Sequence, residues 1–132
     1  MPWILKTEPS AFSYADLEHD KKTCWDGVRN YQARNHLKSM KKGDDCFIYE
    51  SVGPKEVVGT AKVSREAYPD PKDPQWVCVD ITLGKRLKKA VTLAELKAHP
   101  TLKEISLVKQ SRLSVCPISE KEWALIAKFP DL

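Results

Sequence analysis

The sequence predicts an α+β fold, a small, curved, mostly antiparallel sheet or partly closed barrel with short helices set around it. Three observations lead there. Five short stretches carry the alternation or β-branched content of strands, and Ser/Thr-x-x-Asp/Glu capping pairs recur between them. The length of 132 residues suits one domain with its own core, so residues 1–132 are expected to fold as a unit.

The elements follow in order. "PWILK", residues 2–6, is an apolar run that stops at Thr7-Glu8-Pro9, and Pro9 disfavours helix in the residue before it, which makes the run a strand. Ser13 and Asp16 form the first capping pair. Within "WDGVRNYQARN", residues 25–35, Asn30 can cap a helix, because Ala33, Leu37 and Met40 then share one stripe. Lys41 and Lys42 would occupy its last turn and Gly43 its stop. "CFIYES" (46–51) and "VVGTAKV" (57–63) read as strands joined by a turn at Val52-Gly53-Pro54-Lys55. "YPDPKDP", Tyr68 to Pro74, reads as a proline-rich loop rather than a domain linker. In "WVCVDITL" (76–83), Val77, Val79, Ile81 and Leu83 make an apolar face opposite Trp76, Cys78, Asp80 and Thr82. Thr92/Glu95 and Thr101/Glu104 are further capping pairs, and "RLSVCPI" (112–118) is the last strand. Ser119/Glu122 opens a C-terminal helix with Trp123, Ile126 and Ala127 on one face.

Composition narrows the function. Hydrophobic residues at 42% and charged residues at 30% belong to a folded protein, not a disordered one. No apolar run approaches the roughly 20 residues of a membrane span, and "MPWILKTEPS" lacks the features of a secretory signal. The expectation is a cytoplasmic monomer. Cys24, Cys46, Cys78 and Cys116 form no Cys-x-x-Cys pair and are expected to be reduced packing residues. His19, His36 and His99 are scattered, so no metal is expected. The glycines form neither G-x-G-x-x-G nor a P-loop, and there is no G-x-S-x-G elbow, so no cofactor is expected either. The net charge of +4, carried by pairs such as Lys21-Lys22 and by "KRLKK" (85–89), suits phosphate contacts and equally a solvated surface.

The densest chemistry lies in "WDGVRNYQARN". A loop feeding a helix N-terminus gathers unpaired N–H groups and the positive end of the helix dipole, which favours an anion. Arg29 and Arg34 flank that junction and suit bidentate phosphate or base-edge contacts. Asn30, Gln32 and Asn35 carry the paired donors and acceptors that read a base edge. Trp25 and Tyr31 offer stacking faces worth about 1–3 kcal/mol per base. The bland alternative puts both rings in the core and joins Asp26 to Arg29 as an internal ion pair. Lys6, Thr7 and Glu8 place an amine, a hydroxyl and a carboxylate at a strand end, which could activate water or be no more than a charged terminus. "SRLS" (111–114) sets Arg112 between two hydroxyls that could grip a phosphate or start a strand.

Taken in order, "WILKTEPS", "WDGVRNYQARN", "KKGD", "YPDP", W-x-x-V-D-I and R-L-S-V-x-P resemble the EVE domain family over nearly the whole chain. The resemblance implies a PUA-like pseudo-barrel of five or six strands, related to the YTH domains that read methylated adenine in RNA. It also implies a non-enzymatic reader of modified bases, modified cytosines among them, in DNA or RNA. The base pocket it implies draws on Thr7, Glu8, Trp25, Asn30, Tyr31, Gln32, Tyr49 and Ser51, and the phosphate contacts on Lys6, Arg29, Arg34, Arg112 and Ser114. Glu50-Ser51-Val52 departs from the His-Ser-Asn-like end expected for the second strand, and the segment from "YPDP" to Trp76 is short; both bear on ligand choice.

In the reader mechanism an extruded base stacks on Trp25 while Asn30 reads its edge and the arginines hold flanking phosphates; single strands should bind better than intact duplex, because extrusion costs a few kcal/mol. One rival is an amidohydrolase, since some PUA-like proteins cleave acylated cytidines with a Lys, a Thr and a Glu. Strand alternation would turn Thr7 away from Lys6 and Glu8 and so counts against it. A protein-interaction module, the other rival, would expose an apolar patch.

Overall fold

Alternating apolar residues draw six strands into one sheet in the computed structural model, which describes residues 2–110 and 112–128. In chain order the elements are β1 (Trp3–Thr7), α1 (Tyr14–Asp20), β2 (Lys22–Trp25), α2 (Tyr31–Ser39), β3 (Asp45–Glu50), β4 (Glu56–Asp70) and β5 (Asp73–Thr92). α3 (Leu93–Ala98), a 3-10 turn at Leu102–Glu104, α4 (Ser106–Lys109), β6 (Val115–Pro117) and α5 (Glu120–Ala127) complete the fold. The strand order is β2-β5-β4-β3-β1-β6. Only β1 and β3 run parallel, which a tight turn cannot achieve; the crossover between them carries α1, β2 and α2. The sheet curls without closing and leaves β2 and β6 as its two edges, the pseudo-barrel that the sequence resemblance implied.

The core fills the curl. Ile4 and Leu5 of β1, Phe47 and Ile48 of β3 and Val79 and Ile81 of β5 are sealed from solvent together with Leu17 of α1 and Leu37 of α2. Trp123 stacks on Phe47 with ring centroids 3.8 Å apart and fastens α5 to the sheet. Tyr14 lies flat against Gly59, where a Cβ would come within 2.2 Å of its Cζ, and its hydroxyl donates to the Thr60 carbonyl at 2.9 Å. The ring leaves room for no other residue there.

Ser13, Thr92 and Ser119 cap α1, α3 and α5 with both bonds of the capping box formed. Thr101 makes no such bond, and Glu104 instead pairs with Lys109. Asn30 caps α2 through its side-chain oxygen, and Ala33, Leu37 and Met40 are buried as the stripe required. α2 stops at Ser39, so Lys41 and Lys42 lie beyond its last turn; Ala127 faces solvent, leaving Trp123 and Ile126 of the expected stripe to pack α5 on the core.

The strands differ from expectation in three places. β2 was not foreseen, because four residues at an edge, Lys-Thr-Cys-Trp, carry too little alternation to stand out. β4 and β5 continue past "VVGTAKV" and "WVCVDITL", so that "YPDPKDP" is the tip of a long hairpin rather than a loop. Repeated register shifts bend this hairpin and accommodate prolines that a regular ladder would reject. β6 covers only Val115–Pro117 of "RLSVCPI".

Candidate functional site

The gap between the sheet edges forms a cavity of about 480 Å³, within the usual range for small-ligand sites. One wall comes from the end of β1 with Ser114 just before β6, and the other from the end of β2 and the Asp26–Arg29 loop. Ala11 and Phe12 close one side, and Lys72 reaches in from the β4–β5 hairpin tip.

The loop takes its path because of Gly27 and Asp70. Gly27 adopts φ +78°, a left-handed conformation costly for residues with a Cβ. Its N–H donates to Asp70 Oδ2 at 3.0 Å, and Arg29 Nη1 donates to the same oxygen at 3.0 Å. The Lys72 N–H donates to Oδ1 at 2.8 Å, an Asx turn across the hairpin tip. Asp70 is 1% exposed. Burial by itself would raise its pKa, but the bonds from Lys72, Gly27 and Arg29 together outweigh that and hold the carboxyl below its ordinary range. The Asp26–Arg29 ion pair of the bland alternative does not form; Arg29 pairs with Asp70, and Asp26 with Lys72 at 3.4 Å.

Trp25 combines the two roles set against each other in the sequence. Its indole is 8% exposed and belongs to the core, yet it also borders the cavity, with Phe12 edge-on at 6.1 Å and 88°. These two rings form an aromatic corner. Lys6, Thr7 and Glu8 all line the cavity; Lys6 and Glu8 share a side as alternation requires, and Thr7, the last residue of β1, borders it as well, contrary to that expectation. The Thr7 hydroxyl donates to the Phe12 carbonyl at 2.6 Å, and Glu8 accepts from Ser10 at 3.2 Å. Lys6, Arg29 and Lys72 around the opening are balanced by Glu8, Asp26 and the buried Asp70 that holds Arg29, so the charges there sum to zero.

Of the residues singled out in the sequence, Lys6, Thr7, Glu8, Trp25, Arg29 and Ser114 therefore meet at one cavity. The others lie outside it. Asn30 spends its side-chain oxygen on the Ala33 N–H at 2.9 Å. Tyr31 is 65% exposed and rests on Trp76, with Arg34 stacked against both rings. Gln32 faces solvent, as does Arg112. Tyr49 is buried in β3, which raises its pKa, and Ser51 donates to the Thr7 carbonyl at 3.1 Å. Ser111 of "SRLS" lies outside the described residues. Glu50, the departure from the family pattern, accepts the Tyr14 N–H at 2.8 Å and so fixes the start of α1 rather than a ligand. Asp70, Phe12, Thr23 and Lys72 were missed; for Asp70 the signal was an acid inside the "PDPK" turn. Among the described residues no cluster of three His, Cys, Asp or Glu side chains could hold a metal ion.

Comparison with known proteins follows the same lines. The EVE domain family model matches residues 2–129. Thymocyte nuclear protein 1 of Homo sapiens is 36% identical over 98% of this chain and 73% of its own length. A Rhodopseudomonas palustris protein solved by NMR superposes with a TM-score of 0.91 at 46% identity, covering 96% of this chain and 90% of that one. The human THYN1 protein in complex with 5-methylcytosine-containing DNA superposes with a TM-score of 0.90 at 32% identity, covering 96% and 95% of the two chains.

Proposed function

Because the chain belongs to the EVE domain family, we propose that its cavity takes up a single modified nucleobase, of the modified-cytosine class, from a DNA or RNA strand. The observation that carries this reading is the Trp25–Phe12 corner bordering a gap of nucleoside size whose rim bears Lys6, Arg29 and Lys72. A base slides against the indole and meets Phe12 at its edge. Glu8, Ser114 and the acceptor side of the Thr7 hydroxyl, whose proton goes to the Phe12 carbonyl, supply polar groups toward its hydrogen-bonding side, a role the capping duty of Asn30 moves away from that residue. Lys6 and the exposed Lys72 face the flanking phosphates, which supply most of the salt-dependent affinity, while Arg29 stays paired with Asp70. A relative of the same fold, the human THYN1 protein, is in complex with 5-methylcytosine-containing DNA, which supports the ligand class.

Extrusion of a base costs a few kcal/mol, so single-stranded or mismatched sites bind best. One buried methyl adds about 0.8 kcal/mol, roughly a fourfold preference, and stronger discrimination needs a close-fitting wall. The four free cysteines suit a reducing, cytosolic compartment. Tyr31 and Val52 are the only exposed large apolar residues among those described, which suits a monomer.

The test is a binding screen at fixed salt against single- and double-stranded oligonucleotides carrying different modified bases. Trp25→Ala should weaken binding about tenfold for modified and plain strands alike. Lys72→Ala, an exposed change, should flatten the salt dependence. If Trp25→Ala binds a methylcytosine strand as the wild type does, the stacking role is refuted.

A second reading, hydrolysis of an acylated cytidine, draws on the convergence of Lys6, Thr7 and Glu8 at the cavity. Against it, the Thr7 hydroxyl is already committed to the Phe12 carbonyl. Turnover of acylated nucleosides that is abolished by Lys6→Ala would favour it.

A further inference from the structure

Beside the cavity lies a second aromatic feature that the core does not need. Tyr31 stands at the first position of α2, directly after its cap, and is 65% exposed. Trp76 of β5 lies beneath it with ring centroids 5.1 Å apart and planes tilted by 36°. Arg34 places its guanidinium 4.8 Å from the Tyr31 centroid and 5.5 Å from that of Trp76, and Nη1 donates to the Gln75 carbonyl at 3.1 Å, which fixes the stack. Arg29 connects this feature to the cavity: it lines the cavity and also sits 5.8 Å from the Trp76 ring centre.

We propose that Tyr31, Trp76 and Arg34 form an external shelf on which the nucleotide adjoining the cavity-bound base stacks. The inference rests on the reading of the cavity as a base site and extends it to a neighbouring position. A rigid ring held at a helix start needs little ordering on contact, and every base presents a π-face to it. The Arg34 guanidinium against both rings makes the shelf positive, complementary to a phosphodiester passing from cavity to shelf. The occupant is a base of a single DNA strand rather than an apolar protein segment, because the exposed ring is bordered by arginines and not by aliphatic side chains.

The experiment measures fluorescence anisotropy at fixed salt with single DNA strands bearing one 5-methylcytosine, whose neighbours are either intact or abasic. Tyr31→Ala should bind the intact strand about tenfold more weakly than wild type, and Tyr31→Phe should keep wild-type affinity. On strands with abasic neighbours, wild type and Tyr31→Ala should coincide. Equal affinity of Tyr31→Ala and wild type for the intact strand, or an equal loss on both kinds of strand, overturns the shelf. The cavity reading fails by a different measurement: wild type would bind equally a strand that is abasic at the methylcytosine position. In that case the Tyr31 comparison on intact neighbours still decides whether the rings stack a base, and a shelf without a cavity-bound base overturns the proposal as stated.

Discussion

Asp70 accepts hydrogen bonds at both carboxylate oxygens, from Gly27 and Arg29 at one and from Lys72 at the other. An amide in its place must turn an NH2 group toward one set of donors. Asp70→Asn should therefore lower the free energy of unfolding by about 2–3 kcal/mol, read from urea titration. The pH dependence has a defined sign. The folded-state pKa lies below the unfolded value of about 3.9, so the stabilisation is complete above that value and is lost as pH falls through the lower, folded one. Wild type and Asp70→Asn should accordingly converge in stability in acid below about pH 4. At this scale the sequence was a partial guide. It identified Trp25, Arg29 and Lys6 by residue type, but the partner of Arg29 sits 41 residues away in a hairpin tip, and no local pattern reveals that distance. The same limit applies to Asn30, whose amide is equally suited to reading a base and to capping a helix.

Capped helix starts were more legible than strand limits, since a cap is local whereas a strand limit depends on partners, and the uncapped α4 was not foreseen. The cap of α2 makes a clean test of that locality. Asn30→Ala should cost about 1 kcal/mol, while Asn30→Asp, also a good cap and favoured by the helix dipole, should leave stability near wild type. Neither change should alter mononucleoside binding, because Asn30 does not line the cavity. Two glycines separate backbone strain from crowding. A Cβ at Gly27 meets nothing within 4 Å, so Gly27→Ala should cost only the left-handed conformation, about 1–2 kcal/mol. Gly59→Ala drives a Cβ into the buried Tyr14 ring and should cost more, up to about 3 kcal/mol, with a disturbed Tyr14 environment in near-ultraviolet circular dichroism. β2 and the full reach of the β4–β5 hairpin escaped the sequence because each is defined by pairing, not by its own periodicity.

Across the whole molecule, the open sheet explains why a cavity exists at all: two unpaired edges face one another, and their mismatch leaves space that side chains only partly fill. The thiols report on the integrity of that closed interior. Burial pushes Cys78 and Cys116 up to about 12 and Cys46 higher still, whereas Cys24 is only half-buried. Near neutral pH an alkylating agent should thus modify Cys24 first and the other three only at the rate of unfolding, as counted by intact mass. The carboxylate of Asp70 carries a last consequence. It binds the cavity wall to the tip of the longest hairpin, whose Lys72 also lines the cavity, so filling the cavity and stiffening that tip are reciprocal events. Amide exchange around residues 70–73 should slow when the cavity is occupied, and rigidifying the tip should in turn tighten binding by the same factor.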